Sequence, residues 1–187
     1  VDDKPYGGGH GMILRVDVLD AAISKAKDSS LDTKNQKVIL LSPRGKTFNQ
    51  RKALELSKLK HLILICGRYE GIDERAKQFI DEEVSIGDFI VTGGEIPAML
   101  VTDAVTRLIG GVLKEGVTTT ESFSLPAGRK NTLLEYPQYT KPNTYKNLKV
   151  PSVLLKGNHG KIKIWRDNES LKTTTKFRPD LLNGKIS

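Results

Sequence analysis

The sequence predicts an α/β fold built around a mostly parallel sheet. Short apolar segments of strand length alternate with segments of helical periodicity, which is the order expected of βα units. Gly-rich, charged loops follow the strands, and glycine there lets a backbone approach a ligand closely because no Cβ intervenes. The chain has 187 residues, of which 37% are hydrophobic and 28% charged, enough for one sizeable core or a core with a small appendage.

The strands are predicted from short apolar runs bounded by turn residues. They cover residues 37–41 (KVILL), 61–66 (HLILIC) and 89–91 (FIV). Residues 42–46 (SPRGK) are predicted as a turn, because Pro and Gly interrupt regular structure.

The helices are predicted from apolar residues at helical spacing among charged ones. They cover residues 16–26, 49–58, 73–79 and 95–108. Asp73 is expected to cap the third helix, and Pro97 falls in the first turn of the fourth, where Pro is tolerated. Gly110 and Gly111 are expected to end that helix.

Three loops, at residues 41–45, 66–70 and 85–94, should lie at the carboxyl ends of parallel strands. Ligands bind at this edge of open α/β sheets. These loops lack the pattern G-x-G-x-x-G, which argues against a simple dinucleotide cradle.

The positive charge lies in the last third of the chain. Residues 121–187 contain thirteen Lys or Arg and five Asp or Glu, a net charge of +8, whereas residues 1–120 contain seventeen of each. A neutral domain with a basic appendage is the layout of a nucleic-acid enzyme, with a solvated basic surface as an equally weighted alternative.

Residues 117–132, which are rich in Thr and Ser and contain Pro126, are predicted to be a linker between a domain at residues 1–116 and a basic domain at residues 133–187. Within the basic domain a helix is expected to start at residues 158–164. Residues 141–149 are predicted to be a loop, and residues 171–176 offer no convincing element.

The composition also excludes several classes of protein. The single cysteine, Cys66, rules out an internal disulfide and fits a cytoplasmic location, and Cys/His metal spacing is absent. No apolar run approaches the ~20 residues that a membrane span needs, so no membrane partner is expected. Because the chain opens at Val1 directly in a motif, we expect its natural start to be missing, and we expect the basic domain to be incomplete.

Seven motifs occur in one order over nearly the whole chain. They are VDDKPYGGGHGM (1–12), LSPRGK (41–46), CGRYEGIDER (66–75), SIGDFIVTGGEIPAM (85–99), SFS (122–124), LLEYPQYTKP (133–142) and VLLKGNHGKIKIW (153–165). This set resembles the TrmD family of bacterial tRNA (guanine-N1)-methyltransferases.

The resemblance implies a SPOUT-class α/β fold: a parallel sheet with a C-terminal trefoil knot, followed by a small, mainly helical basic domain that binds tRNA. It implies methyl transfer from S-adenosylmethionine to N1 of the guanosine 3′ of the anticodon, at position 37. It also implies Mg²⁺ dependence and a homodimer with the active site at the subunit interface.

The resemblance further implies a donor site formed by the three loops. Its residues are Leu41, Ser42, Pro43, Gly67, Tyr69, Ile86, Gly87, Asp88, Phe89, Ile90, Val91, Gly93, Gly94 and Pro97. Backbone groups would hold the adenine edge while Ile86, Ile90 and Val91 pack against its ring. Core packing is the alternative for these three.

Four residues are expected near the substrate guanine. Arg68 and Glu70 flank Tyr69 on one tight loop. A guanidinium, an aromatic ring and a carboxylate at these positions would suit a splayed-out guanine, which could stack on a planar group while a carboxylate accepts hydrogen bonds from its N1/N2 edge. A surface ion pair is the alternative for Arg68 and Glu70. Asp3 and Tyr6 resemble a flexible segment near the base, with a polar turn as the alternative.

Methylation of guanine N1 requires removal of its proton, which a carboxylate can accept, and a guanidinium can stabilise the charge that builds on O6. The resemblance assigns the base to Glu121 and the cation to Arg107, from opposite subunits. The family more often has Asp at the first position, and the following segment, residues 125–132, is longer here. A helix-end charge is the alternative for Arg107.

Two other classes of function remain open. One is a non-catalytic RNA-binding module with a vestigial methyl-donor site, which the complete donor loops disfavour. The other is a different nucleotide-binding enzyme, which the absent phosphate-cradle motif disfavours.

Overall fold

The computed structural model describes residues 1–123 and 132–182. The chain divides into two compact units, Val1–Leu113 and Lys114–Ser187. The domain boundaries at residues 116 and 133 stay a prediction, and residues 124–131 of the expected linker lie outside the described residues.

The first unit holds a three-stranded parallel sheet and a small antiparallel pair. Its strands are β1 (Asp2–Asp3), β2 (Ile13–Leu14), β3 (Gln36–Thr47), β4 (His61–Cys66) and β5 (Glu82–Ser85). Its helices are α1 (Val16–Ala26), α2 (Gln50–Leu56) and α3 (Glu95–Thr106), with a 3₁₀ helix at Glu74–Phe79. The parallel sheet has the order β4-β3-β5, and β1 pairs with β2.

The central strand β3 is buried on both of its faces. Val38 and Leu40 pack with Ile23 of α1 in one apolar cluster. Ile39 and Leu41 pack with residues of α2 and α3 in a second cluster. Because successive side chains of a strand point to opposite faces, this alternation places helices on both sides, as a parallel sheet requires.

The predicted helices of this unit are confirmed, the third as a 3₁₀ helix that Asp73 caps by accepting from the Arg75 N–H. The strand predicted at residues 89–91 is wrong: Phe89 and Ile90 are 56% and 80% exposed and lie in a loop. The third strand is instead β5, with the sequence EEVS. Its two glutamates form ion pairs with lysines of neighbouring elements, so it lacks the apolar run that marks a buried strand.

The turn predicted at residues 42–46 is also wrong, because β3 continues through it to Thr47. The pairing with β5 shifts register there: Leu41 and Lys46 both lie opposite Val84. A Cβ on Gly45 would collide with the backbone of Val84, so glycine is what lets this irregular segment lie against β5.

The second unit contains two short strands, β6 (Thr144–Tyr145) and β7 (Leu148–Lys149), which form a hairpin where a loop was expected. Its helices are α4 (Ser152–Leu155) and α5 (His159–Phe177), with 3₁₀ helices at Val117–Thr119 and Pro179–Leu182. The helix start predicted near residue 158 is confirmed, since the Asn158 side chain accepts from the Lys161 N–H at 3.0 Å.

No regular element was expected at residues 171–176, and this expectation is wrong because α5 runs through them. The Thr174 and Thr175 hydroxyls donate to the carbonyls of Ser170 and Leu171 at 2.7 and 2.8 Å. The hydroxyls therefore bond along the helix rather than competing with it. Thr174 is fully buried and also accepts from the Leu134 N–H at 2.9 Å, so tertiary packing outweighs the low helix propensity of threonine.

Four charged side chains join α2 to β3 and β5. Lys37 lies 2.8 Å from one Glu55 oxygen, Lys52 lies 2.9 Å from the other, and Lys52 also contacts Glu82 at 2.8 Å. Hydrogen bonds from Lys37 and then Lys52 lower the pKa of Glu55 from 4.5 to about 2.

Glu55→Gln is expected to lower the free energy of unfolding at pH 7 by about 0.5–1 kcal/mol, a small value because the carboxylate is half exposed. The folded-state pKa lies below that of the unfolded chain, so this contribution is present above about pH 4.5 and is lost as the pH falls toward 2. Urea unfolding at pH 7 and pH 3 measures it. Glu115→Gln, which removes a carboxylate from an exposed site, is the control, and a pH-independent difference would contradict the expectation.

Candidate functional site

A cavity of about 410 Å³ lies where β3, β4 and β5 approach their carboxyl ends. Its volume is within the range of about 300–1,000 Å³ typical of small-molecule sites. The residues that line it come from all three predicted loops, with contributions from the 3₁₀ helix and α3. They are residues 40–44, 67–72, 74, 77, 83–87, 89–94 and 97.

The structure brings the predicted donor-binding residues together at this cavity. Thirteen of the fourteen line it: Leu41, Ser42, Pro43, Gly67, Tyr69, Ile86, Gly87, Phe89, Ile90, Val91, Gly93, Gly94 and Pro97. Asp88, which is exposed, does not line it. Arg68 and Glu70, predicted to contact the substrate base, line the same cavity. Their ligands stay a prediction.

The loop after β5 runs back past the end of β3 to reach β4. Gly93 forms an antiparallel bridge with Arg68, and the Gly94 N–H donates to the Gly67 carbonyl at 2.9 Å. A Cβ on Gly94 would lie 2.6 Å from the Cα of Cys66, so only glycine permits this approach of the two backbones. The two loops are thereby held as neighbouring walls of the cavity.

Tyr69 occupies a strained position in the loop that follows β4. Its φ is +55°, in the left-handed region that bulky residues rarely adopt, and its side chain is 66% exposed. Such strain persists where the surrounding structure imposes it, and it is concentrated at functional sites. The neighbouring Gly71 N–H donates to the Arg68 carbonyl at 2.9 Å, which closes the turn that holds the tyrosine.

Arg68 forms its ion pair with Glu95 rather than with Glu70. The Arg68 Nε donates to Glu95 Oε1 at 2.8 Å. A hydrogen bond from the backbone of Glu95 and that from Arg68 lower the pKa of Glu95. Glu95 was not among the residues predicted from the sequence, although an acidic residue in the first turn of a helix is a recognised electrostatic signal.

One part of the cavity lining is a charged cluster that the sequence analysis missed. Glu74 contacts Lys77 at 2.8 Å and Arg44 at 3.1 Å, and Lys77 contacts Glu83 at 2.9 Å. Lys77 holds the pKa of Glu74 below its usual value. Only the Glu74–Lys77 spacing was visible in the sequence, because the other pairs join residues far apart along the chain.

The Gly-rich segment at residues 4–12 connects β1 to β2. The Glu70 N–H donates to the Met12 carbonyl at 3.1 Å and the Leu14 N–H donates to the Gly71 carbonyl at 3.0 Å, so the second arm of this hairpin is bonded to the cavity loop. Asp3 lies in β1 and Tyr6 is fully exposed, and neither lines the cavity. Their contacts with substrate stay a prediction.

The two predicted catalytic residues fall in different units. Arg107 is the C-cap residue of α3 and its N–H donates to the Asp103 carbonyl at 3.1 Å. Glu121 follows the 3₁₀ helix at Val117–Thr119, and both side chains are half-buried. Neither lines the cavity, so their roles stay a prediction.

Residues adjacent to Glu121 are anchored by the segment at residues 133–135. The Ser122 hydroxyl accepts from the Glu135 N–H at 2.9 Å, and the Phe123 N–H donates to the Leu133 carbonyl at 3.0 Å. Ser124 and most of the longer segment predicted at residues 125–132 lie outside the described residues; Thr132, at its end, is buried.

Within residues 1–123 and 132–182, no three His, Cys, Asp or Glu side chains are grouped in a way that could hold a metal ion. In the same parts of the chain, no helix has both the length and the apolar character to cross a membrane.

The fold is that of an α/β protein with a cavity of small-molecule size at the carboxyl edge of a parallel sheet. The family model described as tRNA (Guanine-1)-methyltransferase TrmD matches residues 1–184. The chain therefore belongs to the TrmD family, whose fold is the SPOUT α/β fold, as its motifs predicted.

Curated relatives cover nearly the whole chain. A protein of Metamycoplasma arthritidis (strain 158L3-1) is 54% identical over 182 residues, 97% of this chain and 75% of that protein. One of Mycoplasma mobile (strain ATCC 43663 / 163K / NCTC 11711) is 51% identical over 185 residues, 99% of this chain and 88% of its own length. One of Dictyoglomus turgidum (strain DSM 6724 / Z-1310) is 53% identical over 182 residues, 97% and 70% of the two chains. Each is named tRNA (guanine-N(1)-)-methyltransferase.

Proposed function

We propose that this chain transfers a methyl group from S-adenosylmethionine to N1 of the guanosine at position 37, 3′ of the anticodon, in tRNA. Membership of the TrmD family and the names of the relatives support the reaction. The observation that carries the proposal is the cavity, which gathers thirteen residues of the predicted donor site from β3, from the loops after β4 and β5, and from the first turn of α3. A cytoplasmic location is part of the proposal, because the substrate is tRNA.

The residues of the cavity fit S-adenosylmethionine. Leu41, Ile86 and Val91 offer apolar surface to an adenine ring, and the space around Gly67 leaves its backbone accessible. The carboxylates of the lining suit a sulfonium and an ammonium group, while its Lys and Arg side chains suit a carboxylate. When bound, S-adenosylmethionine would supply an electrophilic methyl group.

The chain's own residues would position the guanine and move its proton. The ring of Tyr69 would stack on the extruded base, with Arg68 and Glu70 at its edge. The Glu121 carboxylate would accept the N1 proton, and the Arg107 guanidinium would stabilise the negative charge on O6. N1 then has a lone pair with which to attack, and the remaining requirement is positioning.

We propose further that the loop at residues 86–94 belongs to a trefoil knot. The support is its course: it leaves β5, passes the end of β3, which lies between β5 and β4, and bonds to the residue after β4. Such a crossing would fix the donor site by topology as well as by hydrogen bonds. We also propose that Lys114–Ser187 is the tRNA-binding part, because almost all of this unit coincides with the basic third of the chain.

Methyl transfer to a tRNA transcript with G37 tests the proposed reaction. Digestion to nucleosides and mass spectrometry should detect 1-methylguanosine, and a transcript with A37 should give none. EDTA should lower turnover and leave donor binding intact if Mg²⁺ is required. Tight binding of both ligands with no methylated nucleoside would instead support the RNA-binding module with a vestigial donor site.

A homodimer is part of the proposal, with the two catalytic side chains supplied by opposite protomers. Helix α3 is apolar on two sides: Val101 and Val105 are buried, whereas Ile96 and Met99 are 66% and 72% exposed. Exposed apolar side chains on one helix are typical of an interaction surface, and a second copy of this chain is the occupant that the resemblance implies.

Ile96→Glu combined with Met99→Glu is expected to convert the protein to a folded monomer, because two charges would be buried without partners at the interface. Sedimentation equilibrium measures the mass, and turnover should fall with dimerisation. Leu54→Glu, at a 41% exposed position of α2, is the control and should leave the mass unchanged. A wild-type protein that sediments as a monomer while turning over would contradict the dimer.

A further inference from the structure

The charge of the second unit is concentrated in one segment. Residues 136–166 contain seven Lys or Arg and no Asp or Glu. The hairpin of β6 and β7, residues 144–149, lies in the middle of this segment and is called the basic hairpin below. Attraction to a polyanion is therefore not offset by any carboxylate of the same segment.

The backbone of the basic hairpin is tightly specified. Tyr145 pairs with Leu148, so the turn consists of two residues, Lys146 and Asn147, with φ of 47° and 65°. The Val150 N–H donates to the Asn143 carbonyl at 3.0 Å and closes the base. A two-residue turn with both φ values positive favours Asn and Gly, whereas lysine is strained there. Turn formation therefore does not explain the lysine.

The tip of the hairpin presents one aromatic ring among cations. Tyr145 is 59% exposed, and the Lys146 Nζ lies 5.5 Å from the centre of its ring. Lys149 is also exposed, on the strand that returns from the turn. Other aromatic residues of the segment are engaged elsewhere: Arg166 lies 4.6 Å over Tyr136, and Tyr139 and Trp165 pack with ring centres 6.2 Å apart.

We propose that the basic hairpin binds an unpaired nucleotide of RNA, with the Tyr145 ring stacked on the base and Lys146 and Lys149 on the flanking phosphates. A projecting aromatic ring flanked by cations is the pattern with which proteins hold single-stranded nucleic acid, because every base offers a π face. A duplex would offer phosphates but no free base. The inference rests on the proposed function only in taking tRNA as the RNA that the protein meets.

Affinity for a fluorescently labelled tRNA transcript, measured by anisotropy, tests this site. Tyr145→Ala should raise the Kd about 5- to 100-fold, the loss expected for one stacked base, whereas Tyr145→Phe should bind like the wild type. A blunt RNA duplex of similar length should bind Tyr145→Ala and the wild type equally. Equal weakening for tRNA and duplex would overturn stacking.

Lys146→Gly tests the phosphate contact without disturbing the turn. Glycine adopts positive φ freely, so the melting temperature should be unchanged or higher. The slope of log Kd against log salt should fall by about 0.7–0.9, as expected for one lost phosphate contact. Lys34→Gln, in the part of the chain without net charge, is the control and should keep the wild-type slope.

The outcomes separate this inference from the proposed function. Wild-type methylation of G37, with both hairpin variants binding tRNA like the wild type, would overturn the hairpin site and leave the enzyme. Weakened tRNA binding by these variants, with no methylation by the wild type, would support the hairpin site and overturn the enzyme.

Discussion

Gly67→Leu is expected to weaken binding of S-adenosylmethionine strongly while the chain remains folded. Gly67 lines the cavity, has no positive φ and has no atom within 4 Å of the position where a Cβ would stand. A side chain added there enters open space and takes the volume that the donor would occupy. The loss should be at least about 1–3 kcal/mol of binding free energy, or roughly 10- to 100-fold in Kd.

Calorimetric titration with S-adenosylmethionine measures this loss, and thermal unfolding checks the fold. Gly110→Leu is a matched control, since Gly110 also has open space at its Cβ and lies outside the cavity. Gly94 is unsuitable for this test, because any side chain there would displace the backbone of β4. A loss of donor affinity could then not be distinguished from a loss of folding. An unchanged Kd for Gly67→Leu would show that the donor does not bind in this cavity.

The elements that could be predicted from the sequence are those with local signals. The strand at residues 61–66 has a continuous apolar run, and the helix at residues 16–26 has clear apolar periodicity, and both were found at their observed ends. Strand β5 could not be found in this way. Its glutamates are tolerated in the sheet because Lys52 and Lys77 lie beside them, and the contacts come from distant parts of the chain.

The same distinction applies to the site. The three segments that line the cavity were predicted because their glycines and charges are visible in the sequence, although the first of them proved to be part of β3, and the motifs named most of the cavity residues. Pairing within the site was not predictable: the link between Arg68 and Glu95 spans 27 residues and depends on the return of the loop after β5 to β4. The left-handed backbone of Tyr69 is likewise set by the bonds around it rather than by tyrosine's own preference.

Glu121→Gln is expected to lower turnover by about 10²–10⁴-fold, the usual effect of losing a positioned general base. The amide is nearly the same size as the carboxylate but cannot accept the N1 proton, so affinities for donor and tRNA should change little. Single-turnover methylation of a G37 transcript measures the chemical step. Calorimetry and anisotropy measure the two affinities.

Glu121→Asp is the sharper variant, because the resemblance predicts Asp at this position and a shorter segment after it. The Asp side chain is one methylene shorter, so its carboxylate reaches the base only if the backbone of the loop moves closer by that distance. The anchoring of Ser122 and Phe123 by residues 133–135 limits how far the backbone near Glu121 can shift. We therefore expect Asp to retain activity well above that of Gln but below that of the wild type.

The pH profile separates a catalytic carboxylate from a structural one. If Glu121 accepts the proton, the single-turnover rate of the wild type should fall at acid pH, and this acid limb should be lost in Glu121→Gln and retained in Glu121→Asp. Arg107→Lys should lower the rate in every background without removing that limb, because a cation near O6 stabilises charge and takes no proton. Wild-type turnover and a wild-type pH profile in Glu121→Gln would place the base elsewhere. Glu70, which lines the cavity beside Tyr69, would then be the next carboxylate to replace.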